Sequence, residues 1–332
     1  MRRGSQKSVK SSSLLSSHAR NAFRVPLLIG YDANKRDLPW RKNRDPYRVW
    51  LSEIMLQQTR VAAVIQKYNE FLELFPTVEA LAAARSETVL AAWSGLGYYR
   101  RARALHVAAQ MITRELGGKF PSTAQALQSL PGIGRYTSAA IASIAYDESV
   151  AVVDGNVERV AGRLSGRSLP SAEVWEFAES LLCPERPGDF NQAMMELGAT
   201  VCVPGEPKCL VCPVAEFCSA RGNLVSDKKP QKTTKATVFY ALDCAGGKVR
   251  LAQRAKTAAV MPLMWELPEF VPEAAEPEVC LRLKHSITTT NYDVRVVRES
   301  RKKVGKFVAV EKLGDIPLTG LARKILQAVE IL

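Results

Sequence analysis

The spacing of apolar residues changes once along this chain, and that change limits what it can fold into. From about Val25 to Ala220, segments such as LSEIMLQQTRVAAVIQKYNEFLELF, SETVLAAWSGL, YYRRARALHVAAQMITREL, YTSAAIASIAYDE and VERVAGRLSG repeat apolar residues every three or four positions, as amphipathic helices do. After residue 237 the stretches TVFYALDC, KVRLAQR, YDVRVVR and KFVAVEKL alternate or run β-branched, and LARKILQAVEIL closes as a helix. Between them RGNLVSDKKPQKTTKA, residues 221–236, is polar and lysine-rich and reads as a linker. The expectation is a mainly α chain: a helical domain over 25–220 and a small α+β domain over 237–332. A length of 332 residues is enough for both cores.

Charge narrows the partner. The chain has 46 Lys and Arg against 33 Asp and Glu, a formal +13 that favours a polyanion such as nucleic acid over a small acidic ligand. A merely basic soluble protein would carry the same excess. No apolar run reaches about 18 residues, so no segment is expected to span a membrane. Residues 1–24 are rich in Ser, Arg and Lys and read as a disordered basic arm. An organellar transit peptide fits less well, because the helical amphipathicity is weak. With no secretory signal, the expected location is the bacterial cytoplasm at the nucleoid, with organellar targeting by the arm as the alternative.

Seven cysteines are an odd number, and four of them, Cys202, Cys209, Cys212 and Cys218, stand at C-x6-C-x2-C-x5-C spacing. Four thiolates on a compact loop can surround a Zn²⁺ or a four-iron cluster, because soft sulfur suits both. Zinc ribbons usually present two C-x2-C knuckles. The single knuckle here, on a loop after a helix, favours iron-sulfur. Cys183, Cys244 and Cys280 stand alone and read as core or surface thiols.

LPGIGRYTSA, from Leu130, lies between two helical segments. Gly132 and Gly134 allow backbone N–H groups to point outward at the start of the second helix, a favourable place for a phosphate oxygen. An ordinary corner between helices would look similar. Asp154, in VVDGNVERV, stands where a helix N-cap is expected. Glu53, in WLSEIMLQQTR, lies among Leu51, Ile54 and Leu56, where burial would raise its pKa as a general acid requires. A helix-surface glutamate is the plainer reading.

Taken together, LPW, DPYRVWLSEIMLQQTRV, WSGLGYYRRAR, LPGIGRYT, VDGNVERV, FNQAMMELGA and the four cysteines resemble the helix-hairpin-helix DNA glycosylases with an iron-sulfur loop. Within them the likeness is to the MutY family of A/G-specific adenine glycosylases, from about Asp37 to Cys218. The resemblance implies a helix-hairpin-helix glycosylase fold, a [4Fe-4S] cluster on the four cysteines, and a monomer acting on duplex DNA with adenine opposite 8-oxoguanine or guanine. It implies that Glu53 protonates the flipped adenine and that Asp154 stabilises the oxocarbenium-like sugar, with Tyr136 and Asn156 in support. Related endonuclease III enzymes carry a lysine nucleophile where this chain has Tyr136, so the implied excision is hydrolytic. Arg36, Leu38, Trp40 and Glu196 match residues around the extruded base. Gln58 and Tyr98 match residues that enter the base stack, with Thr59 and Leu96 beside them. Arg100, Arg101 and Arg103 are candidates for phosphate contacts, and a solvated basic face is the alternative.

The C-terminal domain resembles the family's Nudix-like lesion-recognition module through AQR and MPLMWELPEF, without the Glu-rich helix that Nudix hydrolysis needs. Where the family has Phe-Ser-His, this chain aligns Ile287, Thr288 and Thr289, so only the hydroxyl of Thr288 is kept. Alternatives are a thymine/G-mismatch glycosylase of the same superfamily and a DNA-binding relative without activity. Gln57-Gln58 and the added domain count against the first, and the presence of Glu53, Asp154, Tyr136 and Asn156 against the second.

Overall fold

The computed structural model describes residues 17–221, 233–272, 277–287, 289–299, 301 and 304–332. Eleven helices come first among these: α1 Ser17–Asn34, α2 Pro46–Leu56, α3 Val61–Leu74, α4 Val78–Ala83, α5 Ser86–Ala92, α6 Arg100–Glu115, α7 Ala124–Leu127, α8 Arg135–Tyr146, α9 Gly155–Ser165, α10 Ser171–Leu181 and α11 Pro187–Thr200. Strands β1 Thr234–Leu242, β2 Cys244–Ala245, β3 Lys248–Gln253, β4 Trp265–Glu266, β5 Glu269–Phe270, β6 Val279–Ile287, β7 Thr290–Arg298 and β8 Lys306–Ala309 follow, then α12 Gly320–Ala328. Of the linker expected at 221–236, residues 222–232 lie outside the described residues, and its end is corrected: Thr234, Lys235 and Ala236 already belong to β1, which pairs with β7.

Contacts divide the chain into two units. The first is Met1–Glu53 with Phe120–Asp227, the second Ile54–Lys119 with Lys228–Leu332, and one boundary falls inside α2. The expected continuous domain over 25–220 is therefore interrupted. The cause is a set of bonds no periodicity reveals. Tyr99 donates its hydroxyl to Leu318 O at 3.1 Å, Arg323 Nε reaches Ser94 Oγ at 3.2 Å, and Arg103 donates to Pro262 O. The expected disordered arm over 1–24 is also too long: α1 begins at Ser17. Phe23 and Leu27, four residues apart, are each 1% exposed, and that burial extends the helix through the basic segment.

In the first unit, α1, α9, α10 and α11 build a core around Phe23, Leu27, Val157, Leu181, Phe190 and Met194. Helix α9 shows why its sequence folds. Val157, Val160, Ala161 and Leu164 bury one face, Asp154 caps the start, and Gly166 ends it at φ 75°. The cap contributes about 1 kcal/mol, against about 1.5–3 kcal/mol for each large apolar side chain buried. Helix α11 packs closely on both its neighbours. A Cβ on Gly188 would lie 2.5 Å from Ser143 O, and one on Gly198 would lie 2.6 Å from Asn156 Cβ.

In the second unit, one sheet has the order β5-β1-β7-β6, with β1 and β7 parallel and the other neighbours antiparallel. β2, β3 and β4 form the other, with β8 paired to β3. Val238, Tyr240, Val294 and Val296 pack with Leu321, Ile325 and Leu326 of α12. Among the described residues, α12 is the one α-helix after β1, preceded by a 3-10 helix over Val310–Asp315.

Candidate active site

Helix α2 presents apolar residues on every side, with Trp50, Leu51 and Met55 fully buried, so its Glu53 has no solvated face and is 6% exposed. The surface-glutamate reading does not hold. Tyr136, in the first turn of α8, donates its hydroxyl to Glu53 Oε2 and lies 3.6 Å from Met195 Sδ. Burial raises the Glu53 carboxyl to about 7; the Tyr136 bond and the Arg41 charge lower it, and the Asp154 charge raises it. Burial and the Glu53 and Asp154 charges hold Tyr136 neutral far above the usual phenol range.

Asp154 is the N-cap of α9. Its Oδ1 accepts from the backbone N–H groups of Asn156 at 2.9 Å and Val157 at 2.7 Å, and its Oδ2 from Asn156 Nδ2 at 2.8 Å. Three donors thus fix the carboxylate, and among the described residues no cation is bonded to it. Asn156 is itself held, its Oδ1 accepting from Arg159 Nη2 at 2.8 Å. Asn191, 2% exposed, accepts from Val152 N at 3.0 Å and donates to Val150 O and Ser143 Oγ at 2.9 Å, anchoring the segment that leads into Asp154.

Arg36 grips Glu196 with Nε and Nη2, both at 2.7 Å, and with its backbone N–H at 3.2 Å, and Arg41 Nη2 adds a fourth bond at 2.9 Å. Burial raises the Glu196 carboxyl, but the two guanidiniums win and hold it at about 2. One unit therefore carries a buried carboxyl poised near neutrality and another locked as an anion. Leu38 and Trp40 of the LPW segment are buried at 4% and 8% exposure. The sequence reading missed Arg41, Met195 and Asn191, although all three stand inside or next to quoted motifs.

Gly132 takes φ 77°, open to glycine at little cost, and Gly134 precedes α8 at φ −93° and ψ −177° with no side-chain cap. The first N–H groups of α8 have no acceptor within the helix itself and no side-chain cap at Gly134. Cys202, Cys209, Cys212 and Cys218 line one cavity of about 340 Å³. The described residues contain no set of three or more His, Cys, Asp or Glu gathered closely enough for a single metal ion. Four cysteines around one cavity supply the soft sulfur donors that a Zn²⁺ ion or an iron-sulfur cluster takes.

In the second unit, Gln58 and Tyr98 are both exposed, and both are non-glycine residues in the left-handed region, at φ 55° and 47°. Thr59 Oγ1 bonds to Gln57 O at 3.2 Å, and Leu96 is buried. Arg101 is not a solvent-facing phosphate hook. Its guanidinium is taken up by backbone carbonyls because α6 begins beneath two chain turns. Arg103 is likewise spent on Pro262 O, and Arg100 is exposed. Thr288 lies outside the described residues; its neighbour Ile287 ends β6 and pairs with Thr290.

The family described as HhH-GPD superfamily base excision DNA repair protein matches residues 51–183. An adenine DNA glycosylase of Rattus norvegicus is 52% identical over 214 residues, which are 60% of this chain and 42% of that protein. One of Homo sapiens is 51% identical over 215 residues, 60% of this chain and 39% of the other. One of Arabidopsis thaliana is 36% identical over 366 residues, covering 94% of this chain and 57% of that protein. The chain is thus similar to adenine DNA glycosylases and carries an HhH-GPD match over residues 51–183. The chain spans about half the length of the curated relatives it matches. Among solved structures, a thermostable thymine-DNA glycosylase is 31% identical with a TM-score of 0.58, over 62% of this chain and 98% of that one. An endonuclease III trapped on DNA is 22% identical with a TM-score of 0.54, over 63% of this chain and 98% of that one, a likeness of fold alone.

Proposed function

We propose that this chain removes adenine mispaired with 8-oxoguanine or guanine from duplex DNA, by hydrolysis and without a Schiff base. The observation that carries the reading is the Tyr136–Glu53 bond in a buried site that also holds Asp154. A carboxyl near 7 keeps a proton at working pH, and Tyr136 occupies Oε2, so Oε1 is the oxygen that donates to the ring of an extruded adenine. Protonation withdraws electrons from the glycosidic bond. As it breaks, positive charge develops on the sugar, and the Asp154 carboxylate stabilises it or bonds to it transiently until water attacks. Asn156 orients Asp154. Tyr136, uncharged and hydrogen-bonded, offers no amine for a covalent intermediate.

The double-stranded DNA is held at several places. The N–H groups of the Gly132–Gly134 hairpin take a phosphate, Gln58 and Tyr98 enter the stack, and Arg36, Leu38, Trp40 and Glu196 support the base pocket. Ile287 to Thr289 would recognise the partner base, as the lesion-recognition part of a Nudix-like module. Cys202, Cys209, Cys212 and Cys218 would hold a [4Fe-4S] cluster that braces the loop after α11; a brown protein absorbing near about 400 nm supports this, and a colourless zinc-loaded one contradicts it. The protein acts as a monomer.

The test is Glu53→Gln. The amide fills the same space but has no acidic proton, so adenine release falls by at least about 10²–10⁴-fold while duplex affinity is kept. Equal loss of binding and release would assign Glu53 to folding instead.

A further inference from the structure

Gln58 and Tyr98 stand on separate turns, one after α2 and one after α5, yet a single side chain bonds to both. Arg101 lies in the first turn of α6. Its Nη1 donates to Ile54 O at 2.6 Å, Met55 O at 3.1 Å and Gln57 O at 2.5 Å. Its Nη2 donates to Thr59 Oγ1 and Leu96 O, both at 3.1 Å, and to Gly97 O at 3.3 Å. The first group flanks Gln58 on both sides when Thr59 is included, and the second leads into Tyr98. The guanidinium also lies 5.5 Å from the ring centroids of Trp93 and Tyr98.

This is an unusual use of a charge. No ion pair to a carboxylate is made by Arg101 among the described residues, so backbone dipoles and two aromatic faces offset its desolvation. The carbonyls of Ile54 and Met55 belong to the last turn of α2, where a cation is favoured by the helix dipole. Only a planar group with donors on two edges can serve both turns at once; a lysine ammonium is a point charge and reaches one. Both Gln58 and Tyr98 take left-handed backbones that non-glycine residues avoid, a conformation that persists where surrounding bonds enforce it.

We propose that Arg101 is a positioning residue that holds Gln58 and Tyr98 as a preformed pair, so that entry into the base stack requires no ordering of either turn. The inference rests on the glycosylase reading above and deepens it. Arg101 touches neither base nor sugar. Its effect falls on extrusion of the base and not on cleavage of one already extruded.

The experiment compares wild type, Arg101→Lys and the milder Thr59→Val, which removes one bond of the bracket with little change in volume. Extrusion is followed by stopped-flow fluorescence of 2-aminopurine beside the mispaired adenine. Release is measured on a fully paired duplex and on one with the adenine in a short mismatched bubble, where unstacking is already done. Arg101→Lys is expected to slow extrusion about 100-fold, the scale of an ångström-level misplacement, with Thr59→Val several-fold slower than wild type. Both variants are expected to recover near wild-type release on the bubble. Wild-type extrusion in Arg101→Lys overturns the proposal, and so does an equal loss on both substrates, which marks a purely structural residue. If wild type itself releases no adenine, the glycosylase reading fails instead, a separate result.

Discussion

Tyr136 donates its hydroxyl to Oε2 of Glu53, which leaves Oε1 as the oxygen able to carry a transferable proton. That bond lowers the Glu53 pKa, whereas the Asp154 charge raises it, both acting on a value of about 7 set mainly by burial. The protonated carboxyl is the active form, so single-turnover release should be level below about pH 7 and fall as pH rises through that value. Tyr136→Phe removes a lowering influence and should move the falling limb to higher pH. Residual release by Asp154→Asn, with the raising charge gone, should show the limb at lower pH. A pH-rate profile of each variant reads this directly, and shifts in the same direction would contradict the arrangement.

Gly198 is where α11 meets the start of α9. A Cβ there would lie 2.6 Å from Asn156 Cβ and 3.1 Å from its Cα. Gly198→Ala must push the two helices apart, at a cost of about 1–3 kcal/mol. Because Asn156 bonds to Asp154 Oδ2, release should fall beyond what the lost stability explains. Thermal melting and release rate measured on the same preparation check it; a melting change without extra loss of rate would show that Asp154 keeps its geometry.

Gly134 differs in kind. Its φ of −93° is open to any residue, and a Cβ built on it meets nothing within 4 Å. Neither strain nor crowding among the described residues explains a glycine, and the phosphate contact proposed for the hairpin supplies a reason for one. Gly134→Ala should therefore change stability by less than about 0.5 kcal/mol. Duplex affinity should drop, with a salt dependence shallower by about one counterion. Unchanged affinity across a salt titration would remove the hairpin from the DNA interface.

Much of this was legible in the sequence because it depends on local pattern. The helical period, the Asp154 cap, the hairpin glycines and the cysteine spacing all follow from neighbours within a few positions. What was not legible depends on distant partners. The burial of Glu53, the second grip on Glu196 by Arg41, and the conversion of Arg101 from expected phosphate contact to internal bracket each join residues more than forty positions apart. The start of α1 at Ser17 was missed for a related reason: Phe23 and Leu27 find their core on helices α9 to α11, while the basic residues around them dominate the composition.

Single-turnover base release from matched duplexes holding A opposite 8-oxoguanine, A opposite G, and T opposite G tests the central claim most directly. The account predicts adenine release, fastest opposite 8-oxoguanine, and no thymine release. Thymine release, or adenine release indifferent to the base opposite, would contradict it.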